Sequence, residues 1–290
     1  MKGTHGTYHL IAILTVTIWG LTFISTKVLL QHGLTPEEIF FYRFAIAYAG
    51  IWLFCSKRLF AHCWRDELWL LAAGVCGGSL YFFTENTALG VTRVSNVAFL
   101  VCTAPLITTI LSLLFYKGEK ASRGLIYGSL LALVGVALIV FNGSTVLRLS
   151  PKGDLLSLCA ALSWAFYSLI IKKMAGRYPT TFITRKVFFY GVLTILPSFL
   201  FQPMRPDWTT LFSPIVLMNL LFLAVMASLV CYAVWNVVLK QLGTVHATNY
   251  IYLNPLVAMV ASTLILGEGM TPMGLVGAAC ILLGVYLAEK

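Results

Sequence analysis

Long apolar stretches, each close to the length of a membrane-spanning helix, follow one another along the whole chain and are separated by short polar turns. About 20 helical residues cross the ~30 Å hydrocarbon core of a bilayer. The pattern therefore predicts an all-α polytopic membrane protein with ten transmembrane helices. The predicted spans are residues 8–30, 37–56, 68–90, 94–116, 122–142, 154–174, 181–201, 214–239, 245–266 and 271–288.

The chain also repeats its own pattern. Gly118-Glu119, Gly128 and Gly135-Val136 recur 149 residues later as Gly267-Glu268, Gly277 and Gly284-Val285. Other matching pairs are Trp19 and Trp164, Lys27 and Lys172, Asn86 and Asn236, Leu89 and Leu239, and Ala104-Pro105 and Asn254-Pro255. We predict two five-helix repeats, at residues 1–145 and 146–290. Because five is odd, the second repeat enters the membrane from the opposite side, so a substrate site is expected between two inverted halves.

The composition agrees with a membrane location. The chain is 59% hydrophobic and 10% charged, whereas a soluble domain carries about 25% charged residues. With the amino terminus in the cytoplasm, fourteen of the 20 lysines and arginines fall on inner loops and helix ends, and six fall on the outer side. This positive-inside bias predicts a protein of the cell (inner) membrane with both termini in the cytoplasm. It also accounts for the net charge of +10 without a nucleic-acid partner.

No catalytic or metal-binding motif is present in the sequence. The seven cysteines form no Cys-x-x-Cys pair, and there is no His-Glu-x-x-His, Gly-x-Ser-x-Gly or phosphate-binding glycine loop. We therefore expect no enzymatic activity, no cofactor and no metal.

The five-plus-five layout, the prolines of spans four and nine, the Gly-Glu after each, and the repeated G-x6-G-V endings together resemble the drug/metabolite transporter superfamily, EamA type. The resemblance covers essentially the whole chain. It implies a ten-helix transporter, usually an exporter of small metabolites such as amino acids. It further implies that spans one, three, four, six, eight and nine line the cavity, with five and ten as a scaffold.

Three intramembrane features each allow a structural and a functional interpretation. Pro105 and Pro255, near the centres of their spans, are predicted to bend the bundle or to act as symmetric hinges. Small residues four apart favour close helix packing, within the chain or between subunits, so the oligomeric state stays open; they are Gly124, Gly128, Ala132, Gly274 and Ala278. Glu119 and Glu268 are predicted as helix-start acids or as gating contacts.

Charged residues inside the membrane are costly and mark candidate sites. Lys27, Arg43 and Glu85 all fall in the outer third of their spans, and we predict that they form an ion-paired cluster. The cluster either locks three helix ends together or presents Glu85 to a substrate amine or a proton. The remaining alternative is that the charged side chains snorkel to the membrane surface without pairing. Trp235 takes the place of Glu85 in the second repeat, so this acid is not part of the repeated scaffold.

Other polar and aromatic side chains deep in the spans are predicted to bind substrate, with helix packing and interhelical hydrogen bonds as the alternative. Asn249 and Asn254 flank the turn before Pro255. The full candidate set is Trp19, Phe23, Tyr81, Glu85, Asn86, Phe99, Trp164, Tyr167, Ser168, Tyr232, Trp235, Asn236, Asn249 and Tyr252.

The leading functional hypothesis is export of a small uncharged or zwitterionic metabolite, with amino acids favoured, by alternating access between the repeats. The expected partners are the lipid bilayer and a small-molecule substrate, and a proton is a candidate for coupling. A carrier of phosphorylated metabolites or nucleotide sugars is the first alternative, although it would need lysine or arginine deep in the cavity. A passive channel or a non-transporting membrane scaffold is the alternative from another class.

Overall fold

The computed structural model describes residues 2–55, 58–92, 94–116, 122–140, 150–204, 207–257, 259–260 and 271–288. Helices make up the regular structure of these residues, which contain no strand. The all-α class is thereby confirmed for the described residues. The repeated Gly118-Glu119 and Gly267-Glu268 pairs lie outside the described residues, as do residues 141–142 and 261–266 of predicted spans five and nine.

The helices are labelled in chain order. They are α1 Lys2–Gln31, α2 Pro36–Ile51, α3 Trp64–Val91, α4 Asn96–Phe115, α5 Arg123–Val140, α6 Pro151–Met174, α7 Thr180–Leu200, α8 Pro214–Leu242, α9 Thr244–Asn249 with the 3-10 turn Tyr250–Leu253, and α10 Pro272–Ala288. Within the described part of the chain, six of them (α1, α3, α4, α6, α7 and α8) are long and apolar enough to cross a bilayer, and α5 and α10 are shorter apolar helices. That all ten cross the membrane stays a prediction.

Helix α2 begins with a capping box. Thr35 accepts a hydrogen bond from the backbone nitrogen of Glu38 at 3.2 Å, and its own backbone nitrogen donates to the Glu38 carboxylate at 3.0 Å. Pro36 fills the first turn, where no backbone donor is needed. A capping box of this kind fixes where the chain turns back into the bundle.

Close glycine contacts join α5 to α10. A β-carbon on Gly128 would lie 2.5 Å from the carbonyl oxygen of Gly284, and one on Gly284 would lie 2.5 Å from that of Gly128. Gly135 and Gly277 form a second pair of this kind. A β-carbon on Gly135 would lie 2.6 Å from the carbonyl oxygen of Gly277, and one on Gly277 would lie 2.7 Å from that of Gly135. The two backbones therefore touch directly, which larger residues would prevent. The repeated glycines therefore serve packing within the chain. The contact between α5 and α10 uses glycines seven residues apart, and not only the small residues four apart that the sequence suggested.

The main helix contacts run between the two halves of the chain. Helix α3 packs on α6 and α7, α2 packs on α7 and α8, α4 packs on α6, and α1 packs on α8. The first four helices are thus interleaved with α6–α8, and the space enclosed by this bundle lies between the halves.

The third helix of each half departs from regular α-helix at an equivalent place. Val75–Ser79 in α3 and Phe222–Val230 in α8 form π-helical segments, and Gly78 has non-helical dihedral angles (φ −129, ψ −105). A π turn breaks the regular hydrogen-bond ladder and is frequent at functional sites. These segments were not predicted, because the sequence favours continuous apolar helices there.

Both intramembrane prolines follow an interruption of their helices. Helix α4 breaks at Cys102-Thr103, directly before Ala104-Pro105, and in α9 the 3-10 turn Tyr250–Leu253 precedes Asn254-Pro255. Proline has no backbone donor, so it is accommodated where the ladder is already open. Both helices are therefore interrupted beside their prolines, and that the prolines bend the bundle or act as hinges stays a prediction.

Candidate functional site

A cavity of about 40 Å³ lies between the two halves of the chain. Both halves contribute to it, through α1–α4 and through α6, α8 and α9. All six helices that the resemblance implies for the cavity wall take part, and α2 joins them through Arg43. The lining residues are Trp19, Thr22, Phe23, Arg43, Tyr81, Phe82, Glu85, Val101, Ala104, Trp164, Tyr232, Ile251 and Asn254.

Aromatic rings in edge-to-face or tilted contact form one wall of the cavity. The Trp19 ring lies 5.2 Å from that of Trp164 and 6.0 Å from that of Tyr232, and Tyr81 lies 5.1 Å from Trp164. Trp235, behind this wall, packs 5.0 Å from Trp19. Such packing holds each ring in one orientation, so the wall is preformed.

Arg43 and Glu85 both line the cavity, but they are held by different neighbours. The Nε of Arg43 donates to the Ser228 hydroxyl at 2.9 Å, and its guanidinium lies 4.1 Å from the centre of the Phe82 ring. Glu85 accepts a hydrogen bond from the Tyr81 hydroxyl at 2.7 Å. Both residues are buried. The cavity therefore presents one basic and one acidic side chain that share no salt bridge or hydrogen bond.

The predicted ion-paired cluster is wrong. Among the described residues, no salt bridge within 4.0 Å joins Lys27, Arg43 and Glu85. The Lys27 ammonium instead donates to the carbonyl of Leu89 at 2.6 Å, in the last turn of α3. Carbonyls of a last turn have no partner within their helix and attract cations, so Lys27 is satisfied without an acid.

Two polar atoms of the cavity-lining residues have no hydrogen-bond partner among the residues that the structure describes. They are the indole nitrogen of Trp164, a donor, and the side-chain oxygen of Asn254, an acceptor. Buried polar groups are normally satisfied, and an exception in a cavity wall points to a ligand or to another conformation.

The two equivalent asparagines hold helices together and do not line the cavity. Asn236 accepts from the Tyr167 hydroxyl and donates to the Thr184 hydroxyl, both at 2.8 Å. Asn86 donates to the carbonyl of Pro36 at 3.2 Å. Each asparagine thus ties the third helix of its half to the second, which favours the interhelical interpretation over substrate binding.

We expect Asn236→Ala to destabilise the protein by about 1–3 kcal/mol, because it leaves the buried Tyr167 hydroxyl without its acceptor and removes the hydrogen bond to Thr184. Substrate affinity should change little. Thermal unfolding in detergent, measured together with transport by the remaining folded protein, tests both statements. Asn219→Ala is the matched control, because the Asn219 amide bonds only within its own helix, to the carbonyl of Ile215 at 2.8 Å. Loss of affinity without loss of stability would contradict the interhelical role.

The structure brings six of the fourteen candidate residues to the cavity: Trp19, Phe23, Tyr81, Glu85, Trp164 and Tyr232. The other eight lie outside its lining: Asn86, Phe99, Tyr167, Ser168, Trp235, Asn236, Asn249 and Tyr252. Ser168 bonds to the carbonyl of Trp164 in its own helix at 2.9 Å, and Asn249 accepts from Ser129 of α5 at 3.2 Å. The Ser168 hydroxyl is thus satisfied within α6, and the Asn249 oxygen joins α9 to α5.

Several lining residues were missed from the sequence. Thr22 lies one turn after Trp19 and Phe82 directly follows Tyr81, so their neighbours gave a usable signal. Val101, Ala104 and Ile251 give no such signal, because they are ordinary residues of apolar helices.

A second polar cluster, also not predicted, lies at the amino end of α3. Asp66 accepts from Arg177 at 2.7 Å and from the Tyr178 hydroxyl at 2.8 Å. Glu67 accepts from Lys186 and from the Tyr190 hydroxyl. These contacts tie the first half to the second at one end of the bundle. They also bind the Lys186 ammonium to Glu67, outside the cavity lining.

No metal site is found in the described part of the chain, where no group of three or more His, Cys, Asp and Glu side chains is placed to hold an ion. All seven cysteines are free thiols.

The sequence profile of the EamA-like transporter family matches residues 6–141 and again residues 151–289. An uncharacterized transporter of Archaeoglobus fulgidus is 29% identical over 283 residues, which cover 96% of both chains. A probable amino-acid metabolite efflux pump of Escherichia coli K12 is 25% identical, with 96% of this chain and 93% of the relative covered.

Two further comparisons extend this picture. A probable terminal-alkyne amino-acid exporter of Streptantibioticus cattleyicolor is 25% identical over 96% of this chain and 92% of its own. A solved crystal structure superposes with a TM-score of 0.76 at 18% identity, covering 98% of this chain and 96% of that one. At that identity the structural likeness shows the fold alone.

Proposed function

The chain belongs to the EamA-like transporter family, and on that premise we propose that it exports a small zwitterionic metabolite of the amino-acid class by alternating access. Membership makes it a multi-pass membrane transporter and not an enzyme. The substrate class, the direction of transport and the inverted arrangement of the halves are the proposal. We also propose, from the positive-inside bias, that both termini lie in the cytoplasm.

The observation that carries the proposal is the presence of Arg43 and Glu85 in one cavity without a bond between them. A buried charge is costly unless it is paired and hydrogen-bonded. An amino acid supplies both missing partners, since its carboxylate matches the guanidinium and its ammonium matches the carboxylate. Charge-assisted hydrogen bonds of this kind are roughly twice as strong as neutral ones.

The rest of the cavity wall favours a substrate with an apolar or aromatic side chain. Trp19, Trp164, Phe82 and Tyr232 provide ring surfaces, while Trp164 and Asn254 each bring an unused polar atom. Ligand pockets commonly combine apolar walls with a few polar groups that fix orientation.

The names of two relatives support the substrate class and the direction, because one is called an amino-acid metabolite efflux pump and the other an amino-acid exporter. The paired family matches and the interleaved helices of the two halves support a substrate site at their interface.

A phosphorylated substrate is less well supported. Arg43 is the one lysine or arginine in the described cavity wall, and Glu85 shares that wall. A doubly charged phosphate would meet a single cation and would be repelled by the acid.

Counterflow in proteoliposomes tests the proposal. A labelled apolar L-amino acid on one side should exchange with unlabelled amino acid on the other, and the rate should saturate. The corresponding amino-acid amide, which lacks the carboxylate, and the corresponding deaminated carboxylic acid, which lacks the ammonium, should compete at least tenfold less well, because each loses one charged contact. Flux without saturation would indicate a channel, flux of sugar phosphates alone would indicate the rival substrate class, and no flux would indicate a scaffold; each result would overturn the proposal.

A further inference from the structure

Two backbone carbonyls at equivalent places are each bonded by an aromatic side chain from the opposite half. Gly77, in the π segment of α3, accepts from the Tyr232 hydroxyl at 2.5 Å. Ala227, in the π segment of α8, accepts from the Trp19 indole nitrogen at 2.9 Å. Gly77 and Ala227 stand nine residues before Asn86 and Asn236 respectively, so they correspond in the repeat. A π turn disturbs the helical ladder, which makes these carbonyls available as acceptors.

The donors, by contrast, do not follow the repeat. Trp164 corresponds to Trp19, so a symmetric arrangement would place its indole nitrogen on the Gly77 carbonyl. Tyr232 occupies that carbonyl instead, and the Trp164 nitrogen is buried with no partner among the described residues. Phe82 takes the place of Tyr232 in the first half and has no hydroxyl, so it cannot compete with Trp19.

Trp164 stands close to the carbonyl that it does not use. The preceding residue, Ser163, donates to the carbonyl of Cys76 at 2.8 Å, and the Trp164 ring lies 5.8 Å from that of Tyr232. A modest movement of α6 against α3, with displacement of the Tyr232 hydroxyl, would therefore satisfy the buried indole.

We propose that Trp19 and Trp164 are positioning residues that form two alternative latches, each made to the π-segment carbonyl of the opposite half. In this conformation the Trp19 latch is formed, since the Trp19 indole donates to the Ala227 carbonyl. The Trp164 latch is not formed, because the Tyr232 hydroxyl occupies the Gly77 carbonyl. In the opposite access state, Trp164 bonds to Gly77 and Trp19 releases Ala227. This inference rests on the alternating access of the proposed function, and it names the bonds that distinguish the two states.

The two latches make opposite predictions for two similar substitutions. Trp19→Phe keeps a ring but removes the hydrogen-bond donor that stabilises this conformation. The ratio of molecules in the opposite access state to molecules in this conformation should therefore rise about two- to tenfold. Trp164→Phe removes a donor that is unused here but needed there, so the ratio should shift by a similar factor toward this state. Tyr232→Phe frees the Gly77 carbonyl and should shift the ratio in the same direction as Trp19→Phe.

Spin-label distance measurements in substrate-free proteoliposomes report the populations. The labels replace His32 and Trp208 at one end of the bundle, or Leu59 and Gly176 at the other, in a variant whose native cysteines are replaced and that still transports. The control is Trp64→Phe, at a tryptophan that is 69% exposed, and it should leave both distance distributions unchanged.

Shifts of Trp19→Phe and Trp164→Phe in the same direction, or no shift in either, would overturn the latch proposal. If Trp164→Phe does not fold, Tyr232→Phe still decides, because a shift opposite to that of Trp19→Phe excludes competition for Gly77. These populations are measured without substrate, so the latches can fail while amino-acid counterflow is observed, and counterflow can fail while the latches are observed.

Discussion

Glu85→Gln is expected to weaken binding of a zwitterionic substrate about 10- to 100-fold, because it replaces a charge-assisted contact to the substrate ammonium by a neutral one. The Tyr81 hydroxyl still finds an acceptor on the glutamine, so the wall should keep its shape. The half-saturating concentration in counterflow measures the effect. Arg43→Gln should cause a loss of similar size, through the substrate carboxylate.

The two variants should differ in which analogue they distinguish. With Glu85→Gln, the amine group no longer matters, so a carboxylate lacking it should compete almost as well as the amino acid. With Arg43→Gln, the substrate carboxylate no longer matters, so an amine lacking it should compete almost as well as the amino acid. Glu67→Gln is the control for removing a hydrogen-bonded acid, because Glu67 is bonded by Lys186 and Tyr190 outside the cavity. Unchanged affinity in both cavity variants would contradict the proposed recognition of a zwitterion.

Gly284→Leu is expected to destabilise the protein by about 3 kcal/mol or more, at or above the upper end of ordinary overpacking in a core. Its β-carbon would lie 2.5 Å from the carbonyl oxygen of Gly128 and from the backbone nitrogen of Ala132. Backbone atoms cannot rotate away as a flexible side chain can, so α5 and α10 would have to separate. A loss of this size is a large part of a typical total of 5–15 kcal/mol.

The folded fraction of Gly284→Leu can be measured by size-exclusion chromatography and thermal unfolding after extraction in detergent. Ala279→Leu is the matched control, since Ala279 lies on the exposed side of the same helix and its substitution should change stability by no more than about 0.5 kcal/mol. If the two variants unfold at the same temperature, the close glycine contact contributes nothing to stability.

Much of the fold could be predicted because it depends on local patterns. Apolar length gives helices that cross a bilayer, and Thr35-Pro36-Glu37-Glu38 contains every group needed to start α2. The glycines at 128, 135, 277 and 284 stand out by repetition alone, and the structure shows why: each faces the backbone of the opposite helix.

The site was less predictable because a cavity wall is defined by which helix faces meet. Trp19, Glu85 and Trp164 stand out as unusual residues in apolar spans, and they do reach the cavity. Asn236 stands out equally, yet its amide is consumed by Tyr167 and Thr184. The sequence cannot separate these cases, since both place a polar group in an apolar helix and differ only in the neighbour across the interface.

The sequence by itself therefore determined the membrane class, the positions of most helices, the repeat and the resemblance to the family, because hydrophobic length, turn chemistry and recurrence are properties of the chain taken in order. The tertiary structure alone decided that Lys27, Arg43 and Glu85 do not pair, that the third helix of each half contains a π segment, and that Trp19 and Tyr232 bond to carbonyls of the opposite half. Charges and hydrogen bonds act over a few ångströms, so partners are chosen by the packing of helices that lie far apart in the chain.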